Sequence, residues 1–162
     1  MSASAEVKSV VSASALWFFA MLAILNLAWE VAQLPFYTIW QNGTWGEIGF
    51  AVTHCTAGDM LIGLFSAGAA RVFAAGRWPR EAWDRFVFTG YFIMFGLTYT
   101  VFSEWLNVVV RKSWAYSELM PVIPPLDTGL APLLQWIVVP ILASWLTHRR
   151  GALDGLPPSG SI

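Results

Sequence analysis

Four stretches of this chain are long and apolar enough to cross a bilayer, and they constrain the fold more than any other feature. A helix spanning the hydrocarbon core needs about 20 mostly apolar residues. Residues 10–34 carry no charge between Lys8 and Glu30. Residues 47–71 hold Asp59 as their interior charge, residues 86–110 are interrupted by Glu104, and residues 130–147 contain no charged residue. The pattern predicts an all-α integral membrane protein with four transmembrane helices in an antiparallel bundle. Residues 1–150 are read as a single transmembrane domain. Residues 151–162, rich in Gly, Pro and Ser, are expected to form a flexible tail.

Composition narrows the choice further. The chain is 57% hydrophobic and 12% charged, with a mean hydropathy of +0.59. A soluble domain carries about a quarter charged residues. The net charge of −1 offers no basic surface to a nucleic acid. A single cysteine, Cys55, excludes an internal disulfide framework, a CxxC pair and a multi-thiolate zinc site. Ten tryptophans suit the membrane–water boundary, where an amphipathic ring has one apolar and one wet end. Lys8 followed by an apolar run resembles a cleavable leader, but Trp29 and Glu30 stand where a cleavage site needs small residues. The first stretch is therefore read as a span.

Basic residues flanking spans collect on the cytoplasmic side. Lys8, Arg71, Arg77, Arg80, Arg85, Arg149 and Arg150 fall on one side of the bundle, and Arg111 and Lys112 on the other. Both termini and the middle loop are thus expected in the cytoplasm, with residues 35–46 and 111–129 outside. The expected location is the bacterial inner membrane.

This orientation assigns a depth to each polar residue at about 1.5 Å per helical residue. Glu30, Gln33, His54, Glu104, Asn107 and Gln135 form an outer layer. Asn26, Asp59, Thr98, Tyr99 and Thr100 lie deeper, whereas the inner half is mostly aliphatic and aromatic. Asn26, Glu30 and Gln33 are spaced to share one helical face, as are Thr100, Ser103, Glu104 and Asn107. An ionisable side chain in the hydrocarbon costs about 2.5–3.5 kcal/mol on insertion scales, so such groups face the bundle interior and find partners. His54 and Asp59 stand about 140° apart on a regular helix. Only a π-bulge near Gly58 would bring them together.

These residues point to an outward-facing intramembrane pocket. Glu30, His54, Asp59 and Glu104 are the candidate catalytic groups. Asn26, Trp29, Gln33, Tyr99, Ser103, Trp105, Asn107 and Gln135 are expected to line the pocket. His54, Glu30 and Glu104 form an N/O set suited to a divalent zinc, iron or manganese ion. The aromatic and proline-rich outer loops, with Tyr37, Trp114 and Tyr116, would cover it. No HExxH, GxSxG, GxGxxG or P-loop pattern occurs. The leading expectation is an enzyme acting by acid–base or metal-assisted chemistry on a lipid-like substrate. The alternatives are an accessory or assembly subunit of a larger membrane complex that binds a partner helix or hydrophobic ligand, and a proton or metal-cation transporter. Expected partners are membrane lipids, with self-association or assembly into a larger membrane complex, and no nucleic acid.

Overall fold

The computed structural model describes residues 3–75, 85–125 and 127–153. Its main elements are α1 (Ala3–Gln33), a short α2 (Ile39–Asn42), α3 (Trp45–Ala75), α4 (Arg85–Glu104) and α5 (Leu130–Leu153). Four helical segments, Ala13–Phe36, Trp45–Phe73, Phe86–Val110 and Leu130–Arg150, are long and apolar enough to span a membrane, as the sequence predicts. Phe65 is 78% exposed and Phe50 69%, which suits a lipid-facing exterior and would be costly in water. Arg77 and Arg80, which contribute to the charge asymmetry, lie outside the described residues. So do residues 154–162 of the expected tail, while α5 itself runs on to Leu153.

Three of the helix ends have a local cause. At the start of α3, Thr44 and Glu47 cap each other: the Glu47 N–H donates to Thr44 Oγ1 (3.3 Å), and the Thr44 N–H donates to Glu47 Oε2 (2.8 Å). This reciprocal pairing satisfies backbone donors that a helix leaves open. Glu47 is thereby occupied with the helix end. Pro35, two residues beyond the end of α1 and within the turn Leu34–Phe36, lacks the N–H that would continue the α-helical ladder. Beyond Glu104, α4 widens into a π-helical turn, Trp105–Val110, with the Arg111 N–H reaching back to Leu106 O at 2.8 Å. No such turn occurs near Gly58, which lies inside the regular α3.

The helices form a ring in which α1 and α4 each pack against both α3 and α5. One half of the centre is apolar: Leu22, Phe92, Trp136, Val139, Ala143 and Ala70 are buried together. Phe92 meets Phe18 edge-on at 5.6 Å and lies 6.0 Å from the Trp136 ring. Two glycines permit this approach. A Cβ on Gly63 would fall 2.8 Å from Leu22 Cδ2, and one on Gly96 only 2.0 Å from Trp136 Cε3. Pro140, fully buried within α5, sits on the same inner surface.

The remaining half of the centre holds the buried polar groups, closed over by the two loops expected outside. These loops are fastened to each other. Thr38 N–H donates to Ala115 O (3.0 Å), Ser117 N–H to Phe36 O (2.9 Å) and Ser117 Oγ to Pro35 O (2.8 Å). Tyr37 and Tyr116 pair as an isolated antiparallel bridge with ring centroids 5.6 Å apart. A two-stranded hairpin, β1 (Val122–Ile123) with β2 (Thr128–Gly129), leads into α5.

Candidate functional site

Three helices bring five polar side chains to one point. Gln135 of α5 is the hub, 2% exposed. Its Nε2 lies 2.8 Å from Asp59 Oδ2 of α3, and 3.1 Å from both Asn26 Oδ1 and Glu30 Oε1 of α1. Two amide hydrogens therefore serve three acceptors. Gln33 adds a donation to the same Glu30 oxygen at 2.8 Å and a longer one to Gln135 Oε1 at 3.5 Å. The Glu30 and Asp59 carboxyls thus meet on one amide nitrogen, Glu30 through Oε1 and Asp59 through Oδ2.

Glu104 of α4 stands beside this cluster, with its charge felt at Glu30 and Asp59. It accepts a hydrogen bond from the Tyr116 hydroxyl, which in turn accepts from the Gly129 N–H at 2.9 Å. The lid is thus wired to the third acid. Trp114 is the next polar group to Glu104, but its buried indole N–H completes no hydrogen bond. Several other buried polar atoms also lack a partner: Asn26 Nδ2, Trp29 Nε1, Gln33 Oε1 and Thr100 Oγ1. An unpaired buried donor or acceptor costs about 1–3 kcal/mol, and two of these atoms, Asn26 Nδ2 and Gln33 Oε1, belong to side chains of the cluster itself.

The placement of several other expected residues differs from the sequence reading. His54 is exposed and stacks on Phe50, with ring centroids 5.4 Å apart and planes 14° from parallel. The physical reason is the angular offset from Asp59: once Asp59 points inward, a regular helix turns His54 outward. The expected metal set of His54, Glu30 and Glu104 is therefore not assembled. Among the described residues, no group of three or more His, Cys, Asp or Glu converges to hold an ion. Tyr99 and Trp105 are also exposed and pack against Phe102, at 6.4 and 6.2 Å. Asn107 turns back on its own helix, donating to Ser103 O (2.9 Å) and Ser103 Oγ (3.3 Å) where the π turn begins. Trp29 packs against the apolar core. Of the expected pocket, Asn26, Gln33 and Gln135 join the acids.

No known protein family, curated protein or solved structure matches the chain. Its functional reading therefore rests on the site itself.

The lid offers a pH-dependent readout. Burial pushes the Tyr37 phenol well above the ordinary range, and the Glu104 charge adds to this. Burial likewise raises Tyr116, followed by the charge of Glu104 and the hydrogen bond to it. A raised phenol means that, above pH about 10, the unfolded chain has lost protons that the folded one retains. Stability is unaffected by these groups below that pH and falls as pH rises through the window above it. Tyrosinate absorbance should accordingly show two late-titrating phenols, one of them missing in Tyr116→Phe. Titration of Tyr37 and Tyr116 near the ordinary phenol value would contradict the closed lid.

Proposed function

We propose that the protein is a membrane-embedded enzyme acting by acid–base chemistry on a lipid-like substrate that enters from the outer leaflet. In this reading the four helices cross as an antiparallel bundle in a bacterial inner membrane, with both termini cytoplasmic. The observation that carries the proposal is the division of three buried acids into two environments. Glu30 and Asp59 both accept from the Gln135 amide. Glu104 instead accepts from a lid tyrosine. Acids held in unlike surroundings within a low dielectric are suited to separate roles as proton donor and acceptor. Glu30–Asp59 would supply the proton and Glu104 would receive one, with Tyr116 opening to admit the substrate head. The unpaired Asn26 and Trp114 donors would hold a substrate oxygen.

General acid–base groups contribute about 10²–10⁴-fold to a rate. Asp59→Asn and Glu104→Gln should each lower turnover by at least about 100-fold. Turnover is read by mass spectrometry of lipids in vesicles carrying the purified protein. His54→Ala should leave it unchanged, because the imidazole faces away from the cluster. Full turnover in both acid variants would remove this reading.

The accessory-subunit alternative draws on a different observation, the close packing of the cluster, in which Asn26 and Gln135 are both 2% exposed. On that view the network joins helices, and acid variants alter assembly with a larger complex rather than turnover. Stoichiometric co-purification of other membrane subunits would favour it. A proton or cation carrier has the least support. Beyond Asp59 the centre is filled by Leu22, Phe92 and Trp136, which offer no ligand to a moving ion.

A further inference from the structure

A groove of about 540 Å³ runs along the outside of the bundle between α4 and α5. Leu97 and Val101 form one wall, Leu134 and Ile137 the other, and Leu130 and Ile123 stand at the hairpin end. Thr98 also lines it, but its hydroxyl donates to Met94 O of its own helix at 2.8 Å, so the walls present hydrocarbon. The volume falls within the range of small-molecule sites, roughly 300–1,000 Å³.

The two ends of this groove are chemically unlike. In an antiparallel pair, directly opposed residues project to the same face of the hairpin. Thr128 is opposite Ile123, which lines the groove, so the Thr128 side chain shares that face of the hairpin and lies behind the lining. It is 3% exposed, and its Oγ1 has no hydrogen-bond partner. The next residue, Gly129, donates its N–H to Tyr116 Oη, and Tyr116 donates to Glu104. On α4, Glu104 follows Leu97 by two helical turns and therefore lies nearly in line with that wall. The hairpin end of the apolar groove thus lies next to a buried, unsatisfied hydroxyl, one residue before the Gly129–Tyr116–Glu104 chain of hydrogen bonds.

We infer that this groove seats one acyl chain of a membrane lipid, with an oxygen of the lipid head at Thr128. The inference rests on the acid–base reading for its purpose and gives that reading a substrate class, a chain-bearing lipid with a carbonyl or hydroxyl head. The occupant is chosen by matching features: apolar walls along the length, a polar atom wanted at one end, and a lateral opening to the hydrocarbon. A lipid chain delivered this way reaches Tyr116 and Glu104 from the side, without crossing the fastened loops.

The test uses the full chain in lipid vesicles doped with palmitate that carries a photoactivatable group at its chain end. After illumination, label should concentrate on residues 97–101 and 130–137, several-fold above the lipid-facing 61–65 stretch of α3, an internal control for bulk lipid. Excess unlabelled palmitate should compete it away. Thr98→Trp and Leu134→Trp, both at exposed positions, fill the groove and should reduce labelling to the level of α3. Thr128→Val should weaken the competition several-fold. Equal labelling of groove and α3, or indifference to the tryptophans, overturns the inference, as do copy-to-copy crosslinks in place of lipid adducts. Groove labelling without turnover would sink the acid–base reading and leave the seat standing. Turnover with uniform labelling would do the reverse.

Discussion

Replacing Gln135 by leucine should cost more stability than any other single change in the polar cluster. Leucine is close in size, so little cavity is made. What disappears is the amide that serves Asp59, Glu30 and Asn26 at 2.8, 3.1 and 3.1 Å. Hydrogen bonds to charged groups contribute about 1.5–3 kcal/mol each, and removing one partner from a buried ionic group leaves the other uncompensated. A loss of about 3–5 kcal/mol follows, which for a chain of this size corresponds to a fall in Tm of roughly 10 °C. Gln33→Leu removes a more peripheral donor and should cost about 1 kcal/mol. Because the groups form one network, Gln135→Leu combined with Asp59→Asn should destabilise by less than the sum of the two single changes. Thermal unfolding in detergent measures all of these. A change below about 1 kcal/mol for Gln135→Leu would contradict the hub geometry.

The second large effect belongs to the apolar half. Gly96→Ala places a methyl 2.0 Å from Trp136 Cε3 and 2.6 Å from Cζ3, inside the ring's van der Waals surface. The indole has no free end to swing, since Phe92 lies 6.0 Å away on the same core surface and Trp136 is 3% exposed. Overpacking of this kind costs about 1–3 kcal/mol, and more when the neighbour cannot yield. The expected result is a substantially lowered Tm, partly restored by Trp136→Leu. Gly90 of the same helix has nothing within 4 Å of its built Cβ. Gly90→Ala should therefore be neutral or stabilising by up to about 1 kcal/mol, through helix propensity. Equal behaviour of the two alanines would show that the helices do not meet at Gly96. Gly63→Ala should be milder than Gly96→Ala, because the atom it meets is the mobile end of Leu22.

The spans were legible because their signal is local and additive: twenty apolar residues read the same whatever they pack against. The convergence of Asn26, Glu30 and Gln33 was legible for a related reason, since helical spacing puts them on one face. The same periodicity held the information that His54 and Asp59 diverge. The ligand set of His54, Glu30 and Glu104 respected that offset by omitting Asp59, but it needed His54 to face inward, and α3 turns Asp59 inward instead. Tyr99 and Trp105 show a different limit. Both are polar or amphipathic residues close to an acid in sequence, but only the rotation of α4 against its neighbours decides which of them face lipid. The π turn after Glu104 has no clear sequence signature either.

Tyr116 illustrates what a linear pattern cannot contain. It lies 12 residues after Glu104, beyond the end of α4, and no spacing rule predicts that its hydroxyl returns to that acid. Thr128 belongs with it, placed by the hairpin register alone. By itself the sequence determined that the chain has four helices able to span a membrane, and which acids are too deep to be left without partners. The tertiary structure decided which polar groups touch, which face lipid and what covers them. Hydrophobicity and helical period are properties of neighbours along the chain, whereas a hydrogen-bond partner is chosen by helix rotation and loop closure, which depend on the packing of all four helices at once.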